Sequence, residues 1–202
     1  IGASFGKGGD KWSAIVLGKD GKFYCPPRGA RTVLVIDPSA DRVHEMPDLI
    51  GEGTKWQWMT AIAGAAGSIY APPCNTDRFL RIVPGQCPSA ATMSHRCRLI
   101  DLPPVTSRRA EYCGCVALPD GRVVFTPFNS LSILIFDPAG GATEEVGSFE
   151  GHGKWSDCAL MPDGKVFFVP ANHPSALIFD PARKTWNEVG HFTNHVEHEY
   201  GE

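Results

Sequence analysis

Lys154-Trp155, Asp163-Gly164, Phe168-Val169-Pro170 and Leu177-Ile178-Phe179-Asp180-Pro181 follow one another in that order, and the same four landmarks recur three times upstream. The first unit has Lys11-Trp12, Asp20-Gly21, Tyr24-Cys25-Pro26 and Leu34-Val35-Ile36-Asp37-Pro38. The second reads Lys55-Trp56, Ala66-Gly67, Tyr70-Ala71-Pro72 and Leu80-Arg81-Ile82-Val83-Pro84. In the third, Glu111-Tyr112 replaces Lys-Trp, ahead of Asp120-Gly121, Phe125-Thr126-Pro127 and Leu134-Ile135-Phe136-Asp137-Pro138. Aligned on the leading aromatic, the intervals are 44 residues from Trp12 to Trp56, 56 from Trp56 to Tyr112 and 43 from Tyr112 to Trp155. Self-similarity of this kind marks a fold made of stacked units. The long middle interval holds an insertion, residues 85–109, whose composition reads as loop.

Each unit predicts four short strands. In the first these are residues 13–17, 23–26, 32–36 and 43–46, rich in β-branched, aromatic and apolar side chains and separated by turn residues. Asp-Gly between the first two runs suits a tight hairpin, because glycine tolerates positive φ. Asp-Pro ends the third run, since proline cannot donate to the ladder. No stretch shows the helical period that stacked α-repeats would need. A four-stranded meander of about 40–45 residues is the size of one blade, and from Lys11 to Val189 the chain resembles a β-propeller repeat protein. It lacks the Trp-Asp dipeptide of one well-known repeat class. The paired glycines of kelch repeats are also missing, Gly140-Gly141 being a lone instance. The expected architecture is all-β, one propeller or part of one, with units at about 10–53, 54–109, 110–153 and 154–190 and a tail at 191–202. Two arrangements stay open, a four-bladed ring or a piece of a longer array with open blade faces.

Composition bounds the rest. The 202 residues include 22 Gly and 17 Pro, a turn-rich chain. Hydrophobic and charged fractions of 43% and 20% are those of a globular protein, with length enough for a core. A formal charge of −3 is too small to point to a nucleic-acid partner, and none is expected; no apolar run is long enough for a membrane span. The opening residues Ile1-Gly2-Ala3-Ser4-Phe5-Gly6 do not read as a signal peptide.

Up-and-down strands sort the loops onto two faces. The Asp-Gly and Asp-Pro turns share one. The other collects the segments after Tyr/Phe-x-Pro and the connections between units, and with them most of the reactive side chains. Lys11, Lys55 and Lys154 take equivalent positions in three units, with Glu111 in the remaining one; Arg28, Asn75, Asn129, Asn172, His152 and His173 lie in neighbouring loops. These ten residues form the candidate ligand-binding set, a ring of ammonium groups and amides suited to a polar or anionic small molecule at the channel mouth. The competing reading has each lysine laid across the aromatic of its own unit and the asparagines stabilising turns. Trp12, Trp56, Tyr112 and Trp155 read as blade-to-blade packing, whereas Trp58 and Trp186 fall outside that position and are candidates for ligand contact.

No catalytic or metal-ligating set emerges. The seven cysteines make no paired CxxC motif and no HExxH occurs, so neither a metal nor another cofactor is expected. Cys115 and Cys158 take equivalent positions on first strands, Cys113 and Cys115 share a face, and Cys87 and Cys97 flank part of the insertion. Reduced thiols and a cytoplasmic setting are the expectation. In the tail, His191, His195 and His198 would share a face if helical. The expected function is a non-enzymatic binding or scaffold module, taking a protein partner or a small polar ligand and oligomeric if the ring is incomplete. The alternative is a propeller hydrolase or lyase at the same face, for which Glu111, His152, Asn172 and His173 are the local acid–base set.

Overall fold

The computed structural model describes residues 9–46, 56–85, 97–101 and 111–192, all of them strand, bridge, turn or irregular. Among the described residues sixteen strands form four antiparallel sheets, each a meander in sequence order. Blade 1 comprises β1 (Val16–Leu17), β2 (Phe23–Cys25), β3 (Leu34–Asp37) and β4 (Arg42–Glu45). Blade 2 comprises β5 (Ile62–Ala63), β6 (Ile69–Ala71), β7 (Arg78–Ile82) and β8 (Cys97–Asp101). Blade 3 has β9 (Tyr112–Ala117), β10 (Val123–Pro127), β11 (Ile133–Asp137) and β12 (Ala142–Val146). Blade 4 has β13 (Trp155–Leu160), β14 (Val166–Pro170), β15 (Ala176–Asp180) and β16 (Thr185–Val189). The first strands neighbour one another in the order β1, β5, β9, β13, which is the inner edge of a propeller.

Alternation along the strands sets the core. In β10, Val123 and Phe125 enter the cluster shared with blade 2, while Val124 enters the one shared with blade 4. In β11, Leu134 and Phe136 go one way, Ile133 and Ile135 the other. Strands with both faces covered read as unbroken apolar runs. Blade 1 meets blade 2 through Tyr24, Val35 and Met46 against Trp58, Ile69, Leu80 and Ile82. Each core is thus a sandwich between successive blades.

The hairpin turns are nearly copies of one another. Gly21, Gly121 and Gly164 donate to the carbonyls of Gly18, Leu118 and Met161, each bond 3.0 Å long. At Gly121 and Gly164 φ is 94° and 83°, which a side chain would strain.

Two expectations are corrected. Part of the 85–109 insertion is strand: β8 pairs with β7 from Ile82–Cys97 to Arg78–Asp101, and Cys97 is buried against the Met46 sulfur at 3.7 Å. The short run Cys97-Arg98-Leu99-Ile100 completes the fourth strand its blade needs. The alignment of the second unit is also off by two residues. Trp12, Trp58 and Trp155 each donate their indole N–H to a carbonyl 20 residues on, those of Thr32, Arg78 and Ser175, at 2.8, 3.1 and 3.0 Å. Trp58 is therefore the blade aromatic. It is 1% exposed, and the ligand contact expected of it is ruled out by burial.

Candidate functional site

The loop face is built by a backbone pattern that repeats at every joint. Lys11, Gln57, Glu111 and Lys154 hold the equivalent position. The carbonyl of each accepts an amide from its own blade's β2–β3-type loop: Arg28 at 2.8 Å, Cys74 at 2.8 Å, Phe128 at 2.9 Å and Ala171 at 2.8 Å. The amide of each later member reaches back to the preceding blade. Gln57 donates to the Arg28 carbonyl at 2.9 Å, Glu111 to Cys74 at 3.2 Å and Lys154 to Phe128 at 2.9 Å. The same two carbonyl and amide groups thus close the loop and stitch the joint.

This register breaks the expected lysine ring. Lys55 lies outside the described residues, and the position assigned to it belongs to Gln57, which is buried. Lys154 is 1% exposed, and its ammonium donates to the carbonyls of Ser130 (2.8 Å) and Gly151 (3.2 Å). Its charge is held inside the joint between blades 3 and 4. Glu111 is buried too, its carbonyl collecting the amides of Phe128, Asn129 and Ser130. Lys11 stays half-buried at the surface.

Around blades 3 and 4 the remaining candidates are tied into the framework. The Asn129 side chain accepts the Gly153 amide at 2.7 Å, and the Asn172 amide donates to the Gly153 carbonyl at 2.7 Å. His173 lies over Trp155, ring centres 4.5 Å apart, with Nδ1 3.1 Å from the Ser175 carbonyl. His152 is exposed. Trp186, half in solvent, meets Phe149 edge-on at 5.5 Å.

A different cluster gathers where blades 1 and 2 meet. Arg28 stacks its guanidinium 4.7 Å from the centre of the Trp56 ring and pairs with Asp10 at 3.1 Å. The Asn75 amide donates to the Trp56 carbonyl at 2.9 Å. Trp56, read from sequence as packing, is 41% exposed, the reverse of Trp58. Its backbone is also unusual. The residue just before three of the four joint positions is left-handed: Asp10 at φ 57°, Trp56 at 67° and Gly153 at 60°. The fold asks for positive φ there, and at Gly153 a Cβ would sit 2.5 Å from Asn172 Nδ2. A tryptophan in that conformation is a true outlier. The sequence signal that could have found it is the second aromatic itself, since Trp56-Gln57-Trp58 offers one more tryptophan than a blade requires.

Beneath this cluster, Cys74 is buried and Cys113 half-buried, with their thiols hydrogen-bonded to each other. That bond and the nearby Arg28 charge pull the Cys74 thiol below its ordinary range against the effect of burial, whereas the same bond, together with burial, pushes Cys113 up. Burial pushes Cys158 up to about 12. Among the described residues no group of three or more His, Cys, Asp or Glu is placed to hold a metal. Cys87, His195 and His198 lie outside them.

The fold is that of the β-propellers. The chain is similar to virginiamycin B lyase from Staphylococcus aureus, with a TM-score of 0.70 at 17% identity over 91% of this chain and 57% of that one. A streptogramin B lyase superposes at 0.71 and 18% identity, covering 92% of this chain and 56% of its own. An auxiliary nutrient-binding protein from Bacteroides thetaiotaomicron matches at 0.59 and 12% identity over 92% of this chain and 43% of its own. The chain thus spans little more than half the length of the two lyases and less than half that of the nutrient-binding protein. No protein-family profile matches the sequence, and neither does any curated protein sequence.

Proposed function

We propose that the protein is a ligand-binding propeller module whose site is the Asp10–Arg28–Trp56–Asn75 cluster on the loop face. The observation that carries this reading is Trp56. A side chain in left-handed backbone costs about 1–2 kcal/mol relative to glycine, and the equivalent place in blade 4 is glycine. Burial does not repay the cost, because the ring remains open to solvent. Strain kept without a packing return is characteristic of functional positions. Arg28, stacked on the ring and paired with Asp10, offers a cation beside the exposed indole, which suits a small carboxylate. The similarity of the fold to a nutrient-binding protein is compatible with this reading.

The test is Trp56→Gly, with D-glucuronate and citrate as probes followed by intrinsic tryptophan fluorescence and isothermal calorimetry. The substitution is expected to abolish binding while leaving the thermal midpoint equal or higher, since it relieves the backbone. A lower midpoint with unchanged binding, or no binding of either probe by the unsubstituted protein, overturns the assignment.

A further inference from the structure

The joint between blades 2 and 3 differs from its neighbours in a way the repeat does not require. The position whose carbonyl receives the next blade is Arg28, Cys74 and Phe128 at successive joints. Two residues past each donating amide stand Met59, Cys113 and Ser156. The corresponding positions are therefore Arg28 and Met59, Cys74 and Cys113, and Phe128 and Ser156. The fold builds the same joint from three unrelated pairs, so two thiols at one of them are not a packing necessity. They are held together by the backbone: Glu111 donates to the Cys74 carbonyl and Tyr112 to that of Pro73, both at 3.2 Å, laying the Cys74 loop along the start of β9. Both cysteines are free thiols, and they contact each other across the blade boundary.

We propose that Cys74 and Cys113 form an oxidation site, at which a small peroxide closes a reversible disulfide between blades 2 and 3. The Cys74 thiolate attacks a peroxide oxygen; the O–O bond breaks, sulfur is oxidised to sulfenic acid, and with hydrogen peroxide hydroxide departs. The Cys113 sulfur then attacks the Cys74 sulfur, its proton leaves with the hydroxyl as water, and the S–S bond forms. The sum is two thiols and one hydrogen peroxide giving one disulfide and two waters. Arg28 and the Cys113 S–H favour the Cys74 thiolate, the form that reacts. A peroxide suits this place because Cys74 is buried and only a small oxidant can reach it. The inference does not rest on the ligand-binding reading, although the Cys74 amide bonds the Gln57 carbonyl directly beside Trp56.

The experiment treats the folded chain with hydrogen peroxide, blocks remaining thiols in denaturant with N-ethylmaleimide, and maps the peptides by mass. The expected result is loss of two hydrogens from the intact mass, a linked peptide pair carrying Cys74 and Cys113, and full reversal by dithiothreitol. Cys113→Ser should remove the link and leave Cys74 trapped by dimedone as a sulfenic acid, while Cys115→Ser should leave the link intact. Circular dichroism confirms that each variant is folded, and Cys113→Ala replaces Cys113→Ser if that one is not. Both thiols still alkylated after peroxide, or a Cys115–Cys158 link in place of this one, overturns the proposal.

Discussion

At Lys154 an ammonium group donates to two backbone carbonyls inside the joint of blades 3 and 4, those of Ser130 and Gly151. Leaving buried acceptors without a donor costs roughly 1–3 kcal/mol, and bonds to charged groups sit at the upper end of hydrogen-bond strength. Part of that is offset because methionine removes a charge that was expensive to bury. Lys154→Met is therefore expected to lower unfolding stability by about 1–3 kcal/mol, read as a fall in the urea midpoint at unchanged slope. Lys11→Met, at a half-buried surface position, should move the midpoint far less. Equal midpoints for the two variants would show that the Lys154 bonds contribute nothing net. The sequence places both lysines in one repeat position, yet the Lys154 partner Ser130 lies 24 residues upstream in another blade, so their different fates depend on tertiary packing. Trp56 and Trp58 show the same limit. Aligned on the Lys-Trp dipeptide they exchange roles. Aligned on proline they do not: Trp12 bridges Pro27, Tyr112 pairs with Pro127 and Trp155 with Pro170, each pair 15 residues apart, and 15 residues before Pro73 stands Trp58.

The β3–β4 type of turn is where local sequence and structure agree most closely, because the bonds to its aspartate Oδ1 all come from within three residues. Asp37 Oδ1 accepts from the Ser39 hydroxyl at 2.7 Å and from the amides of Ser39 and Ala40 at 3.1 and 3.2 Å. Asp180 Oδ1 takes the amides of Ala182 and Arg183, both at 3.0 Å. The Ser39 hydroxyl and then the Lys22 ammonium, 3.0 Å from Oδ2, hold the Asp37 carboxyl down to about 2. The Arg183 amide and then its guanidinium lower Asp180 as well. A carboxylate depressed on folding adds stability that is complete above its unfolded value and disappears as the pH falls through its folded one. With an unfolded value near ~3.9 and Asp37 folded at about 2, the loss falls between those limits. Thermal midpoints followed by circular dichroism should be flat above about pH 5 and drop as the pH falls from there toward about 2. Asp37→Asn, which keeps the turn acceptor and removes the titration, should drop less steeply over the same range. An identical acid profile in the variant would mean that Asp37 is not among the groups responsible. Strands β1 to β4 were legible for the same local reason, to within a few residues at their ends. Strand β8 was not, because a five-residue run after a long insertion is identified only by β7 beside it.

Among the described residues three inter-blade cores join four blades, and blades 1 and 4 each have one side that belongs to none of them. On blade 1, Val16 and Tyr24 pack inward toward blade 2, while Leu17, paired with Phe23, points the other way and is 56% exposed. On blade 4, Phe168 packs inward and Val169 is 44% exposed. Such faces are built as blade surfaces, and in this fold a blade surface is covered by another blade. Proteins rarely leave large apolar patches open to water. In a solution of this chain a second copy offers such a blade, with the matching strand layout. Sedimentation velocity across a range of concentrations should therefore show a weight-average coefficient that rises with concentration. Leu17→Lys combined with Val169→Lys, both outside the three cores, should flatten that dependence while leaving the circular dichroism spectrum unchanged. A concentration-independent monomer for the unsubstituted chain would show that these faces do not drive association. Association that persists in the double variant would place the contact elsewhere, with exposed Trp186 and Phe192 on the outer edge of blade 4 the next surface to charge.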